Sequence, residues 1–434
     1  MASFLDETEL LNRTGPGTEL GELLRRFWVP ALRADELTLG WSAPVRVQLM
    51  GEPLVCFRDA EGRIAFLQEF CAHRRASLFF ARNEGEASPD GQAGLRCAYH
   101  GWKYDVDGRC IDMPNEPPQS RFKEHVQLTS YPGVERGGII WAYMGPADLM
   151  PALPDLEWAV VPADQRYVSK RLENTCFTQA MEGGIDSSHV SFLHADISYW
   201  FGSGPLAAPK LLTGDTAPRF FIEPTDYGLL IGARRNAPDG GYYWRITQWL
   251  MPWYTFIPRD GDGAIGAHAW VPIDDTHCMV WSISYHPDRP LNAREVEFCT
   301  NGLGIHAVCL QGTNIPLQNE SNDYLIDRRL QAHMISISGI SGIGTQDSAM
   351  QESMGPEFDP SRERLGSSDA AIVASRTRLI AEARAQAAGG TPSGLDPAVQ
   401  RVRSTTAILT EDASWVEATA ESRRAVSHHY VELP

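Results

Sequence analysis

Apolar and polar positions change their rhythm twice along this chain. Residues 8–27, ending in Gly21-Glu-Leu-Leu-Arg-Arg-Phe27, carry a short helical pattern. From about Pro44 to Met144 the apolar runs shorten: Val45–Met50, Pro53–Phe57, Ile64–Leu67 and Gly138–Tyr143 are separated by Gly, Asp and Asn turns. Such runs predict a small antiparallel β unit. Pro146, Pro151 and Pro154 then mark a linker. We divide the chain into a helical segment over 1–40, a β domain over 41–150 and a larger domain over 151–434.

Beyond the linker the pattern is α+β. A helical stretch around Gln179–His194 precedes strand-like runs at Tyr242–Leu250, Ala267–Val271 and Met279–Tyr285. Ser368 can cap a helix over Ala370–Ala387, which Gly389-Gly390 stops. The polar C-terminal residues are expected to pack loosely or wrap a neighbour. No internal repeat is evident.

Composition adds bounds rather than chemistry. At 434 residues, 43% hydrophobic and 21% charged, the chain suits an ordinary globular protein of two domains. No apolar run approaches the roughly 18–20 residues that span a bilayer, so no membrane segment is expected. The acidic start, Met1-Ala-Ser-Phe-Leu-Asp-Glu, does not suggest a signal peptide. Eight scattered cysteines fit reduced thiols and a cytoplasmic location. A net charge of −17 argues against a nucleic-acid partner. An anionic substrate would have to be held by a few local cations acting against that field.

Two clusters carry chemistry. Cys71-Ala-His73 and Cys97-Ala-Tyr-His100 supply one Cys and one His from each of two loops. A [2Fe–2S] centre with two Cys on one iron and two His on the other needs that set. Zinc also accepts two Cys and two His, but its usual spacings do not interleave the ligand types in this way. Trp102 and Tyr104 can shield the cluster from water, and Cys56 and Cys110 are taken as buried apolar groups.

The second cluster is Asp186-Ser-Ser-His189-Val-Ser-Phe-Leu-His194. Non-heme Fe(II) that binds O₂ takes two His and one carboxylate on one face. A regular helix puts residues five apart roughly 140° apart, so the helix must end, kink or bulge between His189 and His194. Asp186 is three residues before His189, on the same helical face, and can hold it by a hydrogen bond. Gly183-Gly184 loosens the backbone upstream. Spacing leaves the third ligand open among Asp323, Asp327, Asp347, Glu352 and Asp369.

Together these motifs resemble the large (alpha, oxygenase) subunit of the Rieske non-heme iron aromatic-ring hydroxylases. The likeness covers nearly the whole chain. Leu11–Gly17, Glu182–His189 and Asn319–Arg328 are similar to the phthalate dioxygenase branch. In that branch the carboxylate ligand follows a Gln, which selects Asp347 after Gln346. The resemblance implies an N-terminal all-β Rieske domain and a C-terminal helix-grip domain with a curved antiparallel sheet. It implies a homo-oligomer, a trimer or stacked trimers, in which Asp186 bridges His100 of one subunit to an iron-ligand His of the next. It also implies a separate NAD(P)H-dependent reductase carrying flavin and iron–sulfur. Two departures stand out. The His73–Cys97 interval is long, with an extra surface loop over Glu86–Ala93, and Cys176 stands where relatives often carry Asn.

Relatives in that branch act on aromatic carboxylates and aryl methyl ethers. An anion calls for an Arg. Period-two reading puts Tyr243, Arg245, Thr247 and Trp249 on one strand face, making Arg245 the leading carboxylate receptor. Lys210, Arg234 and Arg235 are read as surface groups. Phe177, Phe192, Tyr199, Trp200 and Phe201 are candidate pocket walls. The expected activity is O₂-dependent hydroxylation of an aromatic acid. The competing readings are an O-demethylase, an electron carrier with a non-catalytic binding module, and a zinc-stabilised structural protein.

Overall fold

The computed structural model describes residues 2–37, 42–85, 88, 91–196, 210–238, 240–258, 261–426 and 429. The chain folds as two compact units, one built from residues 15–17 and 24–151, the other from 1–14, 18–23 and 152–434. The first helix, α1 (Ala2–Asn12), is therefore part of the larger unit, as is most of α2 (Glu19–Leu24).

The smaller unit is all-β. Strands β1 (Trp28–Arg33), β2 (Val45–Leu49), β3 (Glu52–Arg58) and β4 (Ile64–Gln68) lead into a small four-stranded sheet. That sheet runs β5 (Arg82–Glu84), β6 (Gly94–Arg96), β7 (Lys103–Tyr104) and β8 (Cys110–Asp112), in order. The chain then returns through β9 (Ser130–Arg136) and β10 (Ile139–Tyr143), closing a six-stranded sheet in the order β1-β10-β9-β4-β3-β2. Val55, Phe57, Leu67, Leu95 and Tyr104 form a core that also buries Cys71 and Cys97. Of the extra 86–93 loop, Ser88 and Gln92 bond the ammonium of fully buried Lys103, which pairs with Glu84. Ser88 and Gln92 therefore cover a buried cation.

The larger unit is built on one antiparallel sheet. Its strands are β11 (Arg166–Glu173), β12 (Arg219–Pro224), β13 (Gly228–Asn236), β14 (Tyr242–Leu250), β15 (Tyr254–Ile257), β16 (Ile265–Pro272), β17 (Cys278–Tyr285) and β18 (Thr405–Leu409). The order is β11-β17-β16-β15-β14-β13-β12. β15, paired on its other side with β16, covers only the Gln248–Leu250 end of β14, and β18 pairs with Tyr242–Ile246 on the same edge. Residues 405–409 and Trp415 thus do not pack loosely: β18 joins the sheet, and Trp415 stacks on Trp244 with ring centroids 5.2 Å apart. The polar count hid this because a strand on a sheet edge needs only backbone bonds and one apolar anchor.

Helix α3 (Phe177–Ile185) lies on the sheet face that carries Trp249, Thr255 and Trp270. Trp249 donates to the Met181 sulfur at 3.0 Å. A Cβ at Gly184 would sit 2.3 Å from the Trp270 ring and one at Gly183 2.1 Å from the Gln351 amide. The glycine pair therefore permits close helix–sheet approach; it does not loosen the backbone. Helices α4 (Ala293–Thr300), α5 (Ile343–Ser353) and α6 (Ala370–Ala387) complete the elements used below. Asp369, not Ser368, holds the N-cap position of α6, because Ser367–Asp369 forms a 3₁₀ turn before it.

Candidate metal centres

In the smaller unit two loops present the Cys/His set with the same backbone scheme. Cys71 N–H bonds Ala76 O and Arg75 N–H bonds Cys71 O. Cys97 N–H bonds Trp102 O and Gly101 N–H bonds Cys97 O. Arg75 and Gly101 take positive φ, which turns each loop back. The His73 and His100 rings lie 4.5 Å apart, and Trp102 stacks on His73 at 4.6 Å. Tyr104 Oη lies 3.1 Å from Cys71 Sγ. The neighbouring thiols act on each other, which draws Cys97 down to about 6 and pushes Cys71 up. His73 Nδ1 is buried, and no described group bonds it. A buried nitrogen left without a partner costs about 1–3 kcal/mol, and a metal would remove that cost. The donor set fits the cluster.

The second centre forms where α3 stops. The helix ends at Ile185, before both histidines, so no kink between them is needed. Asp186 is extended, with φ −79° and ψ 117°, and is not on a helical face with His189. It reaches His189 differently: Oδ1 accepts from Ser188 N (2.7 Å) and Ser188 Oγ (2.5 Å), while Oδ2 accepts from His189 Nδ1 (3.2 Å). A 3₁₀ turn over His189–Ser191 follows.

The two imidazoles are set alike. His189 Nδ1–H points to Asp186, and His194 Nδ1–H donates to Gln346 Oε1 at 2.7 Å. Their Nε2 atoms face each other at 3.2 Å and lie 3.6 and 3.1 Å from Asp347 Oδ1. His189, His194 and Asp347 each offer one ligand atom within 4.8 Å of the others, a set that can hold a metal ion. Burial raises the Asp347 carboxyl, but His194, His189 and Arg171 outweigh it and hold it at about 2. The acid is ionised, as ligation requires. α5 aims Asp347 because its N-cap, Gly342, takes φ +89° against Gly302 O, where a Cβ would come within 2.2 Å.

Beside this triad lies a cavity of about 160 Å³. Arg245 and Thr247 of β14, Arg171 of β11, and His268 and Trp270 of β16 share its wall with His189, His194 and Asp347. Of the other wall candidates, Phe192 is half exposed and lines outer grooves beside Asp186. Phe177 is fully buried at the start of α3 and is not part of this cavity wall. Tyr199, Trp200, Phe201 and the side chain of Lys210 lie outside the described residues. Cys176 is buried at the N-cap of α3. The remaining acids are placed elsewhere: Glu352 accepts from Asn174 N and Tyr324 Oη, and Asp327 caps a short helix at Arg328. Arg234 packs over the Tyr242 ring at 3.8 Å.

Arg235 is not a surface group. It is 1% exposed, and its guanidinium donates to Ser187 O (2.6 Å), Ser187 Oγ (3.2 Å) and Ser191 Oγ (3.4 Å). Burial first, then the charge of Arg245, lowers it to about 10. It braces the turn that carries Asp186 and His189. Arg171 and His268 also belong to the site and were not singled out in the sequence, and Gln346 was named there only as the neighbour of Asp347. For His268 a signal existed: a lone imidazole inside an otherwise apolar strand.

A paired Cys/His loop domain joined to an open His/His/Asp face is the plan of a two-centre, oxygen-using oxidoreductase. Comparison with known proteins agrees. Residues 27–132 match the Rieske [2Fe-2S] domain, and residues 142–433 match the family described as LigXa C-terminal domain like. The chain is 38% identical to the 3-chlorobenzoate-3,4-dioxygenase oxygenase subunit of Comamonas testosteroni, over 92% of this chain and 93% of that one. It is 36% identical to the phthalate 4,5-dioxygenase oxygenase subunit of Pseudomonas putida, over 94% and 93%. Dicamba monooxygenase bound to dicamba shares the fold at a TM-score of 0.56 and 18% identity, over 84% of this chain and 99% of that one. The chain belongs to the Rieske non-heme iron oxygenases, as an oxygenase subunit of a multicomponent system. Membership brings a [2Fe–2S] cluster and a mononuclear non-heme iron, and it excludes the zinc-structural and carrier-only readings. None of the eight cysteines is in a disulfide, and among the described residues no helix is long and apolar enough to cross a membrane.

Proposed function

We propose that this subunit hydroxylates an aromatic carboxylate with O₂ and two electrons from a separate NAD(P)H-dependent flavin and iron–sulfur reductase. The observation that carries this reading is the placement of Arg245 in the wall of the cavity that His189, His194 and Asp347 also line. Arg171 is already bonded to Glu173, Ser348, Ser282 and Ile305 O, so the Arg245 guanidinium, on a chain of net charge −17, is the local anion receptor acting against the global field. Trp270, Ile257, Ile305 and Ile343 supply apolar wall for a ring. The relatives named for 3-chlorobenzoate and phthalate favour the same substrate class.

In this reading Cys71, Cys97, His73 and His100 hold the cluster, and His189, His194 and Asp347 hold the iron. When bound, the two groups supply electron storage and oxygen activation. The chain's own residues do the rest. Asp186 and Gln346 hold the Nδ1 protons, so both Nε2 lone pairs face inward. Arg245 holds the carboxylate and so orients the ring. The narrow cavity limits water.

Asp186 also couples neighbouring subunits, through His100 of an adjacent copy, in a trimer or stacked trimers. An apolar outer groove with Phe192, Leu193, Met350, Met354 and Leu365 surrounds Asp186, and exposed Tyr99 and Phe122 flank the cluster loops. Surfaces of this kind suit burial against a second copy. The cellular location we infer is the cytoplasm.

The test is turnover of a panel of benzoates, phthalates and methoxybenzoates with a surrogate reductase and NADH. Hydroxylated product is expected from at least one acid and not from the matching amide. Formaldehyde release from a methoxybenzoate alone would assign O-demethylation instead. His189→Ala should abolish product and keep the visible spectrum of the cluster; loss of both together would mean that the two centres are misassigned.

A further inference from the structure

A second, larger cavity of about 310 Å³ backs onto the one beside the His/His/Asp triad. The two share three side chains, Ile257, Ile305 and Ile343. The strand register explains how they lie. Thr255, His268 and Ser282 stand opposite one another across β15, β16 and β17, and Ile257, Gly266 and Ser284 form the next such row. Directly paired residues share a sheet face, and so do residues two apart on a strand. His268 lines the inner cavity, and Gly266 and Ser284 line the second. The two spaces therefore occupy one trough on one sheet face, about 6.7 Å apart along β16, which is two strand residues. That distance is about the reach of one further ring.

The second space is built to be empty. At Gly266 a Cβ would meet only Ile305 Cδ1 at 3.6 Å and Ile257 Cβ at 3.8 Å, which is ordinary contact. The backbone there thus tolerates a side chain, yet the position carries none. Phe298 and buried Cys299 of α4 close the far side, and exposed Asn292 and Arg294 stand at the rim.

We propose that this space is a second substrate subsite, which takes an apolar group attached to the aromatic acid. The preferred substrate is then an elongated one: a carboxylate-bearing ring at Arg245, and a second ring or comparable apolar group beyond the three isoleucines. This rests on the aromatic-acid reading above.

The test uses the metal-loaded, anaerobic protein and two probes, benzoate and biphenyl-carboxylate (3- and 4-isomers), by titration calorimetry. The wild type is expected to bind one biphenyl isomer at least tenfold tighter than benzoate. The series Gly266→Ala, Val and Leu, each checked for iron content and circular dichroism, should remove that advantage stepwise and leave benzoate within threefold. Gly266→Ala needs no rearrangement, so the series stays informative if the larger variants misfold. Equal affinities in the wild type, or equal weakening of both probes along the series, would overturn the subsite and leave at most an entry path. Failure of the wild type to bind either probe, when it does bind uncharged aromatics, would instead sink the aromatic-acid reading.

Discussion

His194 donates its Nδ1 hydrogen to the side-chain oxygen of Gln346, 2.7 Å away, one residue before the Asp347 carboxylate that faces its Nε2. The Gln346 amide is itself fixed: its Nε2 donates to Ile340 O at 2.9 Å and to the buried Asp196 carboxylate at 3.1 Å. One turn of α5 therefore sets the tautomer of one ligand and supplies another. Replacing Gln346 with Leu should weaken Fe(II) or Co(II) binding about 10–100-fold. Gln346→Glu keeps an acceptor for Nδ1–H but sets a carboxylate oxygen against Ile340 O and the Asp196 carboxylate, so it should not restore the affinity. Metal titration of the apo protein checks both; wild-type affinity in Gln346→Leu would remove the orienting role.

Arg235→Met should loosen the Asp186–Ser191 turn. The change leaves Ser187 O and two serine hydroxyls without their charged donor. Hydrogen bonds to charged groups contribute about 1.5–3 kcal/mol each, and partial relaxation should keep the total near the low end. A fall in urea midpoint together with weaker metal binding is expected. A stability loss with unchanged metal affinity would show that the brace does not reach His189.

Gly184→Ala forces a methyl into the Trp270 ring and toward Thr255 Oγ1, which a Cβ would approach within 2.7 Å. Overpacking of this kind costs about 1–3 kcal/mol. Because α3 leads directly into Asp186, its displacement should also slow turnover more than it weakens substrate binding. Thermal melts and separate kcat and KM values test this; a neutral melt would mean that the helix already has room.

Glu295 gives the fold an acid-sensitive point. The hydrogen bond from Arg289 leads the causes that hold its carboxyl at about 2, and the Asn292 and Ala264 amides add to it. A folded value below the unfolded one of roughly 4.3 means the stabilisation is complete above that unfolded value. It is lost as pH falls toward 2. Glu295→Gln should therefore lower the urea midpoint at pH 7, with the gap from wild type narrowing by pH 3. A gap of constant size would assign the effect to capping geometry instead of charge.

Much of the site was legible in the chain itself, and the reason is local. Cys71-x-His73 and Cys97-x-x-His100 each lie on one short turn, and His189 and His194 lie within one loop, so spacing alone brings the donors of each group together. The alternation at Tyr243, Arg245, Thr247 and Trp249 placed Arg245 and Thr247 together, and both line the inner cavity. Asp347 is 153 residues beyond His194; resemblance, not spacing, singled it out from the other acids.

Where the reading failed, the cause was a contact distant in sequence. Arg235 looked like a solvated charge because nothing nearby in the chain reveals Ser187 stacked above its strand. Phe177 looked like pocket wall because an aromatic residue tells that a position is buried, not against what. The Gly183-Gly184 pair suggested slack until Trp270 and Gln351 were found against it. Residue types and short spacings, which act through covalent geometry, were enough to name the metals and the class of chemistry. Only the folded sheet, by setting β15, β16 and β17 in register, decided which side chains share a cavity, because that register is fixed by long-range backbone pairing.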